Sequence, residues 1–228
     1  MRRFYALNLP KVGEVIALSS EQSHHLLRVV GIAPNEVFEL FTGKGQACLS
    51  RLDRVEDGLA FVVWLEDVVS SEHKTTLWVL LSLTKQHAFS LTLRMMTEIG
   101  ANMIVPILAE RSIPRKDKNE RWHRIVRSAS QQCGRQDVPS VTAVQTLDEA
   151  LKLCTAFPNR FLLHPKSPSL SPVEASDVAI LVGPEGGFSD IELQTIDRAG
   201  WKSRGIGPFI LRADTAAAVA AGILRSTN

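Results

Sequence analysis

The spacing of apolar positions changes near residue 70 and divides the chain in two. Before it, "EVFELFTG", "QACLSRLD" and "LAFVVWLE" are short runs of β type, separated by Gly-Lys-Gly and Glu-Asp-Gly turn signals. One stretch breaks the series. In "SSEQSHHLLRVV", Ser19 precedes Gln22 by three residues, a capping-box spacing, and apolar residues follow at helical period, so a helix is predicted there. These elements predict a small β-barrel-like domain over residues 1–68, with the polar stretch "DVVSSEHKT" supplying a linker at 69–75.

From Thr76 to residue 228 the pattern is strand, then helix, then strand. "LWVLLSL", "MIVPIL", "RFLLH" and "VAILV" are continuous apolar runs, as expected of parallel strands covered on both faces, and the intervals between them are long enough for crossover helices. An α/β domain with a parallel sheet follows. The alanine-rich end "DTAAAVAAGIL" reads as a helix with a small-residue face suited to close packing.

"VAILV" runs into "GPEGGFSDIE". Pro184 fixes its own φ and keeps Gly183 extended, while Gly186 and Gly187 permit positive φ and let backbone groups approach a ligand with no Cβ between. Ser189 and Glu192 form an S-x-x-E box that starts a helix. The stretch is therefore a strand, a rigid turn and a helix at the carboxyl edge of the sheet, where open α/β folds place ligands. It lacks both the P-loop lysine and the GxGxxG spacing, and Glu185 would repel a phosphate, so a neutral or cationic ligand held by backbone groups is predicted. "GIGPFILRADTAAA" has a related form, with Gly205 and Gly207 around a short strand, then Pro208, then a helix starting near Asp214 or Thr215. "LLHPKS" ends a third strand at His164 and Pro165, and three such strand ends predict one shared pocket.

Composition adds little about fold but something about partners. The 228 residues are 45% hydrophobic and 22% charged, an ordinary globular balance. Cys48, Cys133 and Cys154 are odd in number and have no disulfide or zinc-ligand spacing, so a reducing, cytoplasmic setting and no metal are expected. The adjacent His24 and His25 lack further ligands at suitable spacing. No apolar run reaches a membrane span, and "MRRFYALNLP" has no signal-peptide core. Net charge is only +2, yet Arg111 to Arg135 holds eight Lys and Arg against Asp117 and Glu120. Within it, "NERWHRIVRSASQQCGRQ" places Trp122, Ile125, Val126, Ala129 and Cys133 on one helical side and Arg121, Arg124, Ser128, Gln131 and Arg135 on the other. Such a face is either solvated or a contact for RNA phosphates, and the charge excess favours the second, through Arg121, Arg124 and Arg135.

"LVGPEGGFSDIE" followed by "IGPFILRADTA" resembles the C-terminal signature of the ribosomal RNA small subunit methyltransferase E family, within the SPOUT class of S-adenosylmethionine (SAM)-dependent RNA methyltransferases. The similarity extends through "TEIGANMIVPILAERS", "ERWHRIVRSASQQCGRQDVPSV" and "HHLLRVVG", and so spans most of the chain. The resemblance implies a PUA-like N-terminal RNA-binding barrel and a C-terminal α/β domain with a trefoil knot, one of the rare exceptions to unknotted connections. It implies a homodimer formed through the knotted domains, and methylation of uridine N3 in the decoding region of 16S rRNA within the small ribosomal subunit. Positions matching the SAM-binding loops are Leu163, His164 and Pro165, then Val182, Gly183, Pro184, Glu185, Gly186 and Gly187, and finally Ile206, Gly207, Pro208, Ile210, Leu211, Arg212 and Thr215. The chain departs from the family pattern where Phe209 replaces an arginine, Asp214 a glutamate, and Met95 a common lysine.

Methylation at a pyrimidine carbon generally needs a nucleophile such as Cys to activate the ring, and no cysteine lies in these loops, so a nitrogen or oxygen acceptor is favoured. Arg212 then orients the base or stabilises its anion and Asp214 accepts the proton, or else the two form a salt bridge at a helix start. Lys85 follows a strand end and falls near the site, whereas Glu98 and Arg111 are equally compatible with an ion pair. Two other functions fit parts of the pattern. One is a non-catalytic RNA-binding ribosome-assembly factor that keeps a SAM site, and the other is a small-nucleotide-binding enzyme unrelated to RNA.

Overall fold

The computed structural model describes residues 1–69, 75–113, 119–173 and 176–226. Most of the linker expected at 69–75, and Arg115, Lys116 and Lys118 of the basic stretch, lie outside the described residues. The chain divides into two compact units. One comprises Met1–Glu72 with Arg127–Val138, the other His73–Val126 with Pro139–Asn228.

The first unit is built on a five-stranded sheet. Its strands are β1 (Arg3–Tyr5), β2 (Val15–Ala17), β3 (Val37–Phe41), β4 (Ala47–Glu56) and β5 (Leu59–Val68), in the order β1-β3-β4-β5-β2. The pair β1 and β3 is parallel and the others are antiparallel, with Asp57 and Gly58 as the two-residue turn between β4 and β5. Alternate residues point inward, as a half-buried strand requires. Phe4, Phe38, Leu40, Leu52 and Val62 form the core with Leu18, Leu26 and Ile32.

The predicted helix is present as α1 (Ser20–His24), which continues into a π-helical stretch at His25–Val30. Its capping box forms as read: the Gln22 N–H donates to Ser19 Oγ and the Ser19 N–H to Gln22 Oε1. The His25 ring packs at a tilt against Phe4, a packing role for that imidazole. Residues 127–138 are tied to β1 by polar contacts. Arg3 pairs with Glu39 at 2.7 Å and donates to the carbonyls of Ser130 and Arg135, while the Arg127 guanidinium lies over the Tyr5 ring.

The second unit is the parallel α/β domain that the apolar runs predict. Its strands are β6 (Leu77–Ser82), β7 (Met103–Leu108), β8 (Ser140–Val141), β9 (Gln145–Thr146), β10 (Asn159–Leu163), β11 (Val178–Val182) and β12 (Lys202–Arg204). They pair in the order β12-β10-β11-β6-β7-β8, with β9 also on β7, and every pair is parallel. The crossovers carry α2 (Gln86–Ile99), α4 (Leu147–Leu153) and α5 (Asp190–Arg198), α6 (Ala213–Arg225) follows β12, and α3 (Asn119–Cys133) begins here, its residues from Arg127 on being counted with the first unit. Leu80, Val105, Leu162 and Leu181 pack on one face with Leu147, Leu151 and Ile196 of α4 and α5. The alanine-rich α6 lies against α2, β10 and β11, with Ala217, Ala220 and Ala221 fully buried, which accounts for its small side chains.

Candidate functional site

β12, β10 and β11 are neighbours, so their carboxyl ends open side by side. The chain reaches β11 on one side of β10 and then crosses to β12 on the other, the reversal of strand order at which open α/β sheets form a crevice. A cavity of about 540 Å³ lies there, a size suited to a cofactor. Its walls include Leu163, His164 and Pro165 at the end of β10, Val182 to Gly187 at the end of β11, and Ile206, Ile210, Leu211 and Arg212 after β12. The three strand ends singled out from glycine and proline therefore converge on one pocket. Gly207, Pro208 and Thr215 belong to the same segments but do not line it.

Local structure explains the shape of these loops. The Gly187 N–H donates to the Pro184 carbonyl at 2.9 Å, closing a tight turn, and Gly187 takes φ +69°. Gly186 does not enter the left-handed region, so positive φ is needed at one of the two glycines rather than both. Ser189 caps α5 in the expected box with Glu192, whose carboxylate also accepts from the Glu110 N–H at 2.8 Å. This bond ties the end of β7 to the start of α5.

The β12 loop departs from expectation in one respect. The strand lies at Lys202–Arg204, ahead of both glycines rather than between them, because it pairs with β10 through Phe161 to Leu163. Gly205 is then crossed closely by another segment. Its N–H donates to the Pro168 carbonyl at 2.8 Å, and a Cβ there would stand 2.5 Å from the Ser167 carbonyl oxygen. Only glycine fits that crossing.

Several wall residues escaped the sequence reading. Arg204 ends a three-residue polar strand with no apolar signature, and its guanidinium lies over the Phe161 ring. Phe188 packs under Gly183, where a Cβ would meet its ring at 3.0 Å. Ala213 and Ala216 enter the cavity as i and i+3 on the first turn of α6, a signal available only once the helix start is known. Phe209, noted as a departure from the family pattern, is also a wall residue and is 79% exposed.

Arg212 and Asp214 do pair, with Arg212 Nη2 and Asp214 Oδ2 3.4 Å apart. They are unequal partners: the Arg212 side chain is 79% exposed and that of Asp214 only 10%. Asp214 also accepts from the Thr215 N–H at 2.8 Å, so its carboxylate serves the first turn of α6. Arg111 does not pair with Glu98. It donates to the Gly186 carbonyl at 2.9 Å, while Glu98 faces Arg94 on the same helix at 3.8 Å.

On α3 the expected apolar side is buried at Trp122, Val126 and Ala129, and Arg121 and Arg124 are exposed. Arg135 differs from them. Its side chain is 9% exposed and holds Asp137, a geometry that spends its guanidinium inside the first unit. No cysteine lines the cavity, and burial pushes the Cys154 thiol up to about 12 and the Cys48 thiol upward, so neither is a ready thiolate. Among the described residues no group of three or more His, Cys, Asp or Glu is placed to hold a metal ion.

Residues 71–225 match the RNA methyltransferase domain family. The ribosomal RNA small subunit methyltransferase E of a Synechocystis species is 31% identical over 221 residues, covering 90% of this chain and 71% of the relative. The crystal structure of a ribosomal RNA small subunit methyltransferase E from Neisseria gonorrhoeae, bound to S-adenosyl methionine, superposes with a TM-score of 0.91 at 30% identity, covering 100% of this chain and 98% of the other. A methyltransferase from Legionella pneumophila, solved with bound SAM, gives a TM-score of 0.91 at 28% identity, covering 99% and 97%.

Proposed function

The chain belongs to the ribosomal RNA small subunit methyltransferase E family, and from that premise we propose that it transfers a methyl group from SAM to N3 of a uridine in the decoding region of 16S rRNA. The observation that carries this reading is the cavity at the ends of β10, β11 and β12. Its walls are largely loop backbone and apolar side chains, which suits a cofactor with a flat adenine and a cationic sulfonium better than a phosphate cofactor. The loops after β11 and β12 would hold SAM through backbone groups, with Leu163 and Ile210 as apolar wall. SAM supplies the electrophilic methyl group when bound.

What the protein must add is alignment of the acceptor nitrogen and an outlet for its proton, which is a matter of proximity and local electrostatics. The exposed guanidinium of Arg212 is free to meet a uracil and to stabilise its anion. Asp214, held behind it, sets the position of Arg212 and is the nearby group that takes the proton directly or through water. The absence of a cysteine from the cavity wall agrees with a nitrogen acceptor, which needs no covalent activation.

The finer architecture belongs to the same reading. The sheet of the first unit is taken as a PUA-like RNA-binding barrel spanning 1–68, and residues 76–228 as the catalytic domain. The close crossing of segment 167–170 over Gly205 supports a knotted path. The protein works in the cytoplasm as a homodimer on the small ribosomal subunit. Arg121 and Arg124 are exposed and available for RNA phosphates, whereas Arg135 is paired with Asp137 just after α3.

Mass mapping of 16S rRNA nucleosides from cells lacking the protein tests the proposal. One N3-methyluridine is expected to disappear and to return when purified protein and SAM are added to the subunits. An unchanged nucleoside profile overturns it in favour of an assembly factor without turnover.

A further inference from the structure

A second cavity, of about 630 Å³, adjoins the first and shares Glu185, Gly186 and Arg212 with it. Its other walls come from the end of β6 and the start of α2, at Lys85, His87 and Ala88, and from Arg111 and Ile113 after β7. Three permanent cations and a histidine thus face one carboxylate, Glu185. None of the two groups nearest α2 is committed elsewhere: the Lys85 and His87 side chains are exposed and make no hydrogen bond or ion pair among the described residues. Arg111, by contrast, holds the Gly186 carbonyl and so links the two cavities.

We propose that this second cavity is the acceptor-nucleotide site, in which Lys85, His87 and Arg111 hold the phosphate next to the target base while the base itself reaches Arg212 and Glu185 at the shared wall. The proposal rests on the methyltransferase reading above. A cluster of cations attracts a polyanion and repels a sulfonium, so this charge pattern suits RNA and not the cofactor. The volume accommodates a nucleotide lifted out of its stack, as an enzyme acting on a base edge requires. Its position beside the cofactor cavity brings phosphate recognition and base alignment into one wall. Lys85 and His87 are positioning residues here, because they would touch the phosphate and not the reacting nitrogen.

The test uses the full chain with Lys85→Ala, Lys85→Arg and the double variant Lys85→Ala/His87→Ala. SAM affinity is measured by calorimetry without RNA. Binding of small subunits from cells lacking the protein is measured without SAM across a range of salt, and single-turnover methylation is measured in parallel. Unchanged SAM affinity is expected in every variant. The double variant should lose about tenfold in subunit affinity, with the slope of log affinity against log salt reduced by about 0.7 per permanent charge removed, and Lys85→Arg should recover most of the loss. Unchanged affinity and slope overturn the proposal. Weaker SAM binding with normal subunit binding also overturns it, because the cavity would then hold part of the cofactor. A wild-type protein that binds subunits but transfers no methyl overturns the methyltransferase reading instead, and the salt slope still decides whether this cavity holds phosphate.

Discussion

Arg212 and Asp214 illustrate how exposure decides what a charged pair is for. At 3.4 Å with one partner 79% exposed, the pair is solvent-screened, and such pairs contribute about 0–1 kcal/mol. A role in holding the fold is therefore a weak explanation for Arg212. Replacing it with Ala should shift the unfolding midpoint by less than about 1 kcal/mol in stability, yet lower the single-turnover methylation rate at saturating SAM and RNA by at least tenfold. A normal rate in the folded variant would show that Arg212 only decorates the start of α6. Gly205 shows the opposite case, a residue with no chemistry of its own whose missing Cβ lets segment 167–170 cross the β12 loop.

α6 is an alanine-rich helix with no side-chain N-cap, so its placement depends on burial and on its far end. There Arg225, 9% exposed, donates to the Thr75 carbonyl and hydroxyl, the Gly100 carbonyl and Asn102 Oδ1, at 2.5–3.0 Å. Asn102 Oδ1 also accepts from the Leu77 N–H, so one guanidinium joins α6, the end of α2 and the start of β6. Arg225→Met keeps volume but leaves several buried acceptors without donors, at roughly 1–3 kcal/mol each. A total loss of about 3 kcal/mol or more is expected in denaturant unfolding. Since α6 contributes Ala213 and Ala216 to the cavity proposed for SAM, SAM affinity should fall with it. Equal stability in Arg225→Met would mean that alanine packing alone fixes the helix.

Phe209 and Ile210 are 79% and 78% exposed, and Val219 of α6 is 39% exposed. Large apolar side chains left this open beside a ligand cavity are expected to be covered by something. The proposed homodimer would do so, and self-association through a two-fold axis needs only one patch that fits itself. Sedimentation equilibrium at micromolar concentration should therefore give twice the mass of one chain. A monomer with full methylation activity would contradict the dimer and leave these side chains to contact RNA or cofactor alone.

Much of this was legible in the order of residues. The parallel strands at β6, β7, β10 and β11 are continuous apolar runs, because burial on both faces leaves no polar alternation, and the capping boxes at Ser19 and Ser189 are local by nature. The glycine-rich loops after β11 and β12 and their convergence with Pro165 could be inferred, since strand ends in a parallel sheet share an edge. Short polar strands could not: β8, β9 and β12 exist through pairing with neighbours distant in sequence. Nor could the fate of individual charges. Arg121, Arg124 and Arg135 look alike on a helical wheel, yet Asp137 takes up only the last of them. Arg111 fits an ion pair in sequence, yet the tertiary path brings the Gly186 carbonyl within its reach and gathers Lys85, His87 and Arg212 around one cavity. Local order determined the elements and the loops that line the cavity, because period, capping and turn chemistry act within a few residues. Only the tertiary structure decided which cations were spent on the fold and which remained free, because a guanidinium's partner is set by what long-range packing brings to it.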